Sequence, residues 1–165
     1  MRKYRNYHCK KMRLRKMNNV VIETQMLIRK PVAEVFNAFI DPEITSKFWF
    51  TSSTGALMEN KNIDWYWEKY EVTTSIFVEQ LINNQLIQIK WGEPKSTLDF
   101  IFEKISENET FLRIRNYEIP LEGSELIAFV IKRTNDFTTL LDGAKAYLEY
   151  GAQLNLVNDR LPPFD

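Results

Sequence analysis

Pro31-Val32-Ala33-Glu34-Val35-Phe36-Asn37-Ala38-Phe39-Ile40-Asp41-Pro42, followed by Lys47-Phe48-Trp49, is the stretch that decides the fold. Pro31 suits the first position of a helix, where its missing N–H leaves no bond unmade. Val32, Val35, Phe36 and Phe39 recur at helical spacing and form one apolar stripe. Asp41-Pro42 ends that helix and starts another, with Asp41 as N-cap and Pro42 at the first position. Ile44, Phe48 and Trp49 make its inward side. Two short helices this early, with strands on both sides, are an uncommon order.

Ahead of this stretch, Val20 to Ile28 is β-branched and apolar with alternating polar positions, which predicts a strand. Behind it, the polar residues 51–62 read as a loop. Ile63, Trp65 and Trp67 then alternate with Asp64, Tyr66 and Glu68, the period of a strand. Val72 to Ile82 is the next strand, and Asn83-Asn84 reads as a two-residue turn into Leu86 to Trp91. Gly92-Glu93-Pro94 turns the chain into Thr97 to Ile105, with Leu98, Phe100 and Phe102 on one face. Ser106-Glu107-Asn108 leads into Thr110 to Ile119. Hairpin spacing throughout predicts an antiparallel sheet. Ser124 is placed as the N-cap of a terminal helix, whose stripe is Leu126, Val130, Phe137, Leu140, Leu141, Ala144 and Leu148. A break is expected near Thr134-Asn135-Asp136, where propensity is weak. The class is α+β: an antiparallel sheet wrapped around one long helix, with space between them for a ligand.

The chain of 165 residues fits one domain, and 44% apolar content is enough for a core. Residues 1–19 are expected to be a basic, disordered extension, 20–155 the domain, and 156–165 an irregular tail. Of the 22 Lys and Arg, eight lie in residues 1–16, leaving 14 against 22 acids from Met17 on, a net of −8. A body so acidic is a poor nucleic-acid binder, because phosphate contacts need clustered cations. The basic segment suits anionic partners, or is sequence upstream of a start at Met17. No apolar run is long enough to span a bilayer, and no apolar segment follows the basic residues as in a secretory signal. A single cysteine, Cys9, excludes an internal disulfide and a multi-cysteine metal site. A cytoplasmic protein is expected.

His8 is the one histidine, so the body holds no Ser-His, Cys-His or His-metal constellation. GxGxxG and Walker motifs are absent. Glu34, Glu68, Glu79, Glu103 and Glu118 are the carboxylates available for acid–base work, and surface solvation is the plainer reading of each. Arg113 and Arg115 share one strand face, either toward solvent or as an anion-recognising pair at a cavity mouth. The aromatic residues carry more. Trp49, Trp65, Trp67, Trp91, Phe100 and Phe137 are placed as ligand-binding residues, since ligand cavities are mostly apolar with a few polar groups. Core packing is the plain alternative for each ring. No catalytic residue, metal ligand or cofactor is assigned.

Pro31 to Ile40, Asp41-Pro42-Glu43 and Lys47-Phe48-Trp49, the strand ending Ile89-Lys90-Trp91, and the helix Asn135-Asp136-Phe137 through Leu148 together resemble the family related to activators of the heat-shock protein 90 ATPase. That family belongs to the START-like, or SRPBCC, superfamily with a helix-grip (Bet v 1-like) fold. The resemblance covers about residues 20–155. It implies a β-α-α-β-β-β-β-β-α order and an apolar cavity between sheet and helix. Two departures stand out. Asp136-Phe137 occupies the place of a common Gly-Trp pair, and Asn62-Ile63-Asp64 replaces a frequent Gly-Gly. The eukaryotic activators carry a second, chaperone-engaging domain for which this chain has no room.

These features predict a non-enzymatic binder of a small apolar or amphipathic molecule, such as a lipid. A co-chaperone-like interaction module, with a chaperone as partner, is the alternative and requires an exposed apolar patch. A cyclase or hydratase of the same superfamily is the third, and requires a buried carboxylate or tyrosine facing the cavity. Either a monomer or a dimer fits the sequence.

Overall fold

The computed structural model describes residues 19–160. The expected extension, apart from Asn19, and the last five residues of the expected tail lie outside them. Strand β1 (Ile22–Ile28) leads to α1 (Val32–Ile40) and α2 (Pro42–Thr45). Six strands follow: β2 (Ser52–Ser53), β3 (Asn62–Trp67), β4 (Val72–Ile82), β5 (Leu86–Trp91), β6 (Ser96–Ser106) and β7 (Glu109–Tyr117). Helix α3 (Gly123–Tyr150) closes the domain. The strands form one antiparallel sheet in the order β1-β7-β6-β5-β4-β3-β2. Each hairpin neighbour is a sequence neighbour except β1, which crosses to pair with β7, with Ile22 opposite Asn116 and Ile28 opposite Thr110.

The opening stretch forms the two expected helices with two corrections: Pro31, extended at ψ 144°, is the N-cap of α1 rather than its first residue, and α2 ends at Thr45, so Phe48 and Trp49 follow it in a turn. Asp41 caps α2 by accepting the Glu43 N–H at 2.9 Å, with Pro42 in the first turn. Thr45 donates its hydroxyl to Ala38 O at 2.7 Å and ties the two helices together. Phe36 and Phe39 then pack on β6, with ring centroids 5.2 Å from Phe102 and 5.3 Å from Phe100 respectively. The inward sheet face is Ile63, Trp65 and Trp67 on β3, Ile76 and Val78 on β4, Ile87, Ile89 and Trp91 on β5, Leu98, Phe100 and Phe102 on β6, and Leu112 and Ile114 on β7, all buried. Phe137, Leu140, Leu141 and Ala144 of α3 close the core. At Gly143 an added Cβ would lie 3.1 Å from Phe48 O, so the glycine lets α3 come down onto the chain after α2.

Several local expectations are corrected. Five strands were expected after the helices. A sixth, Ser52–Ser53, pairs with Tyr66 and Trp65 inside the stretch read as loop. The β4–β5 turn has three residues, since Ile82 pairs with Leu86 and the Gln85 N–H donates to Ile82 O. Only Asn84 of its two asparagines takes positive φ, at 58°. Helix α3 starts at Gly123 with Glu122 as N-cap and no side-chain cap bond, so Ser124 lies inside the first turn. Nor does it break at Thr134. The hydroxyls of Thr134, Thr138 and Thr139 donate to carbonyls four residues back, at 2.7, 2.8 and 2.9 Å, instead of capping a new start.

The far end of α3 is latched to β1. Glu149, 5% exposed at its side chain, accepts the Arg29 N–H at 2.7 Å and pairs with Lys145, which also donates to Leu27 O. Burial raises the Glu149 pKa, but the bonds from Lys145 and the Arg29 N–H outweigh it and hold the group below its ordinary value. A carboxylate depressed on folding stabilises above its unfolded pKa of about 4.3, and that stability is lost as pH falls through the folded value. Glu149→Gln should therefore lose roughly 1–3 kcal/mol at neutral pH. The gap should narrow in urea titrations as pH falls below that unfolded value. A gap that does not narrow in acid would remove the latch from the account.

Candidate functional site

Trp65 and Trp67 come from alternate positions of β3, so both face α3. Trp91 ends β5, Phe137 descends from α3, and Trp49 enters from the turn after α2. Trp49 lies edge-on to Trp67 at 5.7 Å and to Trp91 at 6.4 Å. Trp65 is 6.4 Å from both Trp67 and Trp91, and Trp91 is 5.7 Å from Phe137. The structure thus brings five of the six proposed residues into one cluster. Phe100 is not among them; it packs beneath α1 against Phe39. Trp49 alone of the five is half-buried, and Phe137 is fully buried. These rings occupy the space between sheet and helix by packing on one another, the tryptophans in the edge-to-face geometry that ring quadrupoles favour and Phe137 tilted on Trp91.

Two residues join them that sequence reasoning left out. Phe50 stacks on Trp65 at 5.3 Å, and its signal was the unbroken run Phe48-Trp49-Phe50. Arg133 reaches over two rings, its guanidinium carbon 4.1 Å from the Trp91 centroid and 5.0 Å from that of Phe129. Its signal was a cation between Val130 and Phe137 at helical spacing, on the apolar stripe of α3. The side chain is 13% exposed, and Nη1 reaches Asp136 at only 3.5 Å. Burial lowers the Arg133 pKa, and Asp136 offsets part of that. Gly92, at φ 89°, makes the room: an added Cβ would come within 3.0 Å of Arg133 Nη2. In the Trp91 ring itself, Nε1 is buried with no hydrogen-bond partner among the described residues.

A cavity of about 140 Å³ is lined by the Ser46–Thr51 segment, Trp49 included, by Gly143 and by Leu154–Asn158. It lies at the rim, rather than in the middle of the sheet–helix interface where the sequence placed a cavity. It is smaller than the roughly 300–1,000 Å³ of pockets for drug-sized ligands. Tyr70 holds its outer wall by donating to Val157 O at 2.7 Å.

The sheet's outer face carries the charges. Arg113 and Arg115 sit there against Glu23, at 3.7 and 3.1 Å, not at a cavity mouth. Glu79 and Glu118 pair with Lys90 at 3.7 and 2.7 Å, Glu34 pairs with Lys30 at 3.3 Å, and Glu68 and Glu103 are exposed. Hydrogen bonds from Lys90 and Thr97 hold the Glu118 pKa down. Burial, then the charge of Asp99, pushes the Tyr117 phenol up to about 12, which keeps it protonated. Among the described residues no group of three His, Cys, Asp or Glu is placed to hold a metal, and no helix is long and apolar enough to cross a membrane.

A sequence model of the family described as activator of Hsp90 ATPase homolog 1-like protein matches residues 29–149. No curated protein matches the chain. Among solved structures, protein SSP2350 from Staphylococcus saprophyticus is 27% identical and superposes with a TM-score of 0.72, over 82% of this chain and 96% of its own. The Aha1 dimer from Colwellia psychrerythraea is 20% identical, with a TM-score of 0.69 over 80% of this chain and 98% of its own. A START superfamily protein from Mycobacterium smegmatis, 11% identical, has a TM-score of 0.60 over 78% of this chain and 98% of its own. The last two show the fold alone.

Proposed function

From the premise that this chain belongs to the family of activator of Hsp90 ATPase homolog 1-like proteins, we propose that it is a binding module for a small apolar or amphipathic molecule. Trp49, Trp65, Trp67, Trp91 and Phe137 form the seat. The observation that carries this reading is the convergence of these rings around Trp91, whose buried N–H lacks an acceptor among the described residues. An unpaired buried donor costs roughly 1–3 kcal/mol, so such groups in native interiors call for a partner. In this structure the rings fill their own space, and a ligand enters by taking the place of Trp49. That ring is the half-buried member, and the cavity of about 140 Å³ that its residue lines gives it room to move. Apolar burial contributes about 25 cal/mol per Å² of area removed from water, enough for micromolar affinity from a modest ligand.

Tryptophan fluorescence should respond saturably to 1-octanol or a comparable small amphiphile. Trp67→Ala or Trp91→Ala should weaken the response more than Arg113→Ala, which changes the outer face. Silence toward such molecules, together with native mass spectra free of any co-purified small molecule, overturns the reading.

A protein-interaction module is the second reading. One observation favours it: Ile127 and Ile131, one helical turn apart on α3, are 62% and 59% exposed. The Colwellia relative with the same fold is a dimer. If the ligand titrations stay silent, this surface takes over as the working hypothesis.

A further inference from the structure

We infer that Arg133 is an anion anchor at the edge of the aromatic cluster, and that the molecule held there carries a carboxylate on an apolar body. This rests on the binding reading above and narrows its ligand class. A guanidinium packed against Trp91 and Phe129, on a side chain only 13% exposed, has given up most of its hydration. What it receives in exchange is cation–π contact and one long bond, 3.5 Å, to Asp136. Asp136 is shared: Lys132 donates to it at 2.8 Å, and Arg160 reaches its other oxygen at 3.4 Å. The planar fork of Arg133 therefore has donors left for a bidentate acceptor, the geometry that a carboxylate meets best.

Its neighbours fix that fork in place. Contact with both rings holds the guanidinium in position, and Gly92 leaves the gap that Nη2 fills. The second, independent observation is the Trp91 Nε1, a fully buried donor with no partner among the described residues in the same ring system. An acceptor oxygen arriving beside Trp91 removes that deficit. A ligand lying on Trp91 where Trp49 now packs has aromatic surface under its body and a cation beside its head. A purely structural cation–π plug explains the stacking, but it leaves the Trp91 N–H and the spare guanidinium donors without a role.

Sodium octanoate and 1-octanol share a chain and differ in the head, so titrating each against the full chain separates the two ideas. Octanoate should bind about tenfold or more tightly than octanol, the scale of one charge-assisted bidentate contact. Arg133→Met should abolish that preference, read as the octanoate-to-octanol affinity ratio within the variant itself. Arg133→Lys should keep only part of it, and Trp91→Phe, which keeps the ring and removes the donor, should reduce it. Equal affinity for both probes in the native protein, or a preference that survives in Arg133→Lys and Arg133→Met alike, overturns the anchor while the binding reading stands. Binding of neither probe overturns both. Should Arg133→Met not fold, the native ratio and Arg133→Lys decide.

Discussion

Phe137→Ala should destabilise the domain by about 3–5 kcal/mol, the range for truncating a buried phenylalanine. Phe137 is fully buried and its ring meets Trp91 at 5.7 Å. It is the point where α3 presses into the ring cluster, so its removal leaves a void that neighbouring rings, stiff and already packed edge-to-face, cannot close. Leu140 and Leu141, 1% exposed each, sit one turn further on and fix the same helix face. They keep α3 from rolling into the gap. Phe137→Leu should cost far less, because most of the volume is kept. Urea unfolding followed by far-ultraviolet circular dichroism measures both. An alanine cost below about 1 kcal/mol would mean that the ring cluster collapses freely. The packing described for the sheet–helix interface would then be wrong.

Asn116→Asp should be comparably damaging at neutral pH and much less so in acid. Asn116 is fully buried on the inward face of β7. Its Nδ2 donates to Ser96 Oγ and Thr97 O, both at 2.8 Å, while its Oδ1 has no partner among the described residues. A carboxylate there loses both donated bonds and faces the Thr97 carbonyl oxygen with a charge. An uncompensated buried charge costs roughly 3–5 kcal/mol. Burial raises the folded pKa of such a group above the unfolded value of about 3.9. The penalty is therefore full above the folded value and shrinks as pH falls toward the unfolded one. Unfolding free energies of variant and parent, compared at pH 7 and pH 4.5, should converge in acid. A loss that does not change between those pH values would show that the site hydrates its new charge.

How much of this was legible beforehand differs by element. The α1–α2 corner was readable because its signals are local: a stripe at helical spacing, then Asp41-Pro42 as cap and first-turn proline. β4 and β5 were readable to their ends because long alternating runs specify a face and asparagines punctuate them. The places where the reading slipped were set by contacts far along the chain. Ser52–Ser53 has no strand signal of its own and pairs only because β3 offers a free edge. Thr134 looked like a helix break, yet α3 continues because packing against the sheet outweighs weak propensity. The pairing of β1 with β7 joins residues some ninety positions apart in sequence, and no local pattern encodes it.

The candidate site divides in the same way. Alternation on β3 determined by itself that Trp65 and Trp67 share a face, and the apolar spacing of α3 determined that Phe137 looks inward. Composition determined that the domain body is acidic and lacks histidine. Only the tertiary structure decided which aromatic residues meet. Phe100, on the correct face of its strand, belongs to the group under α1, because α1 crosses the sheet at β6. Phe50 and Arg133 entered the cluster because chain segments distant in sequence close over Trp65 and Trp91 respectively. Whether rings pack on one another or leave a cavity depends on volumes summed across β3, β5, α3 and the α2 turn, a quantity that no single stretch of sequence contains.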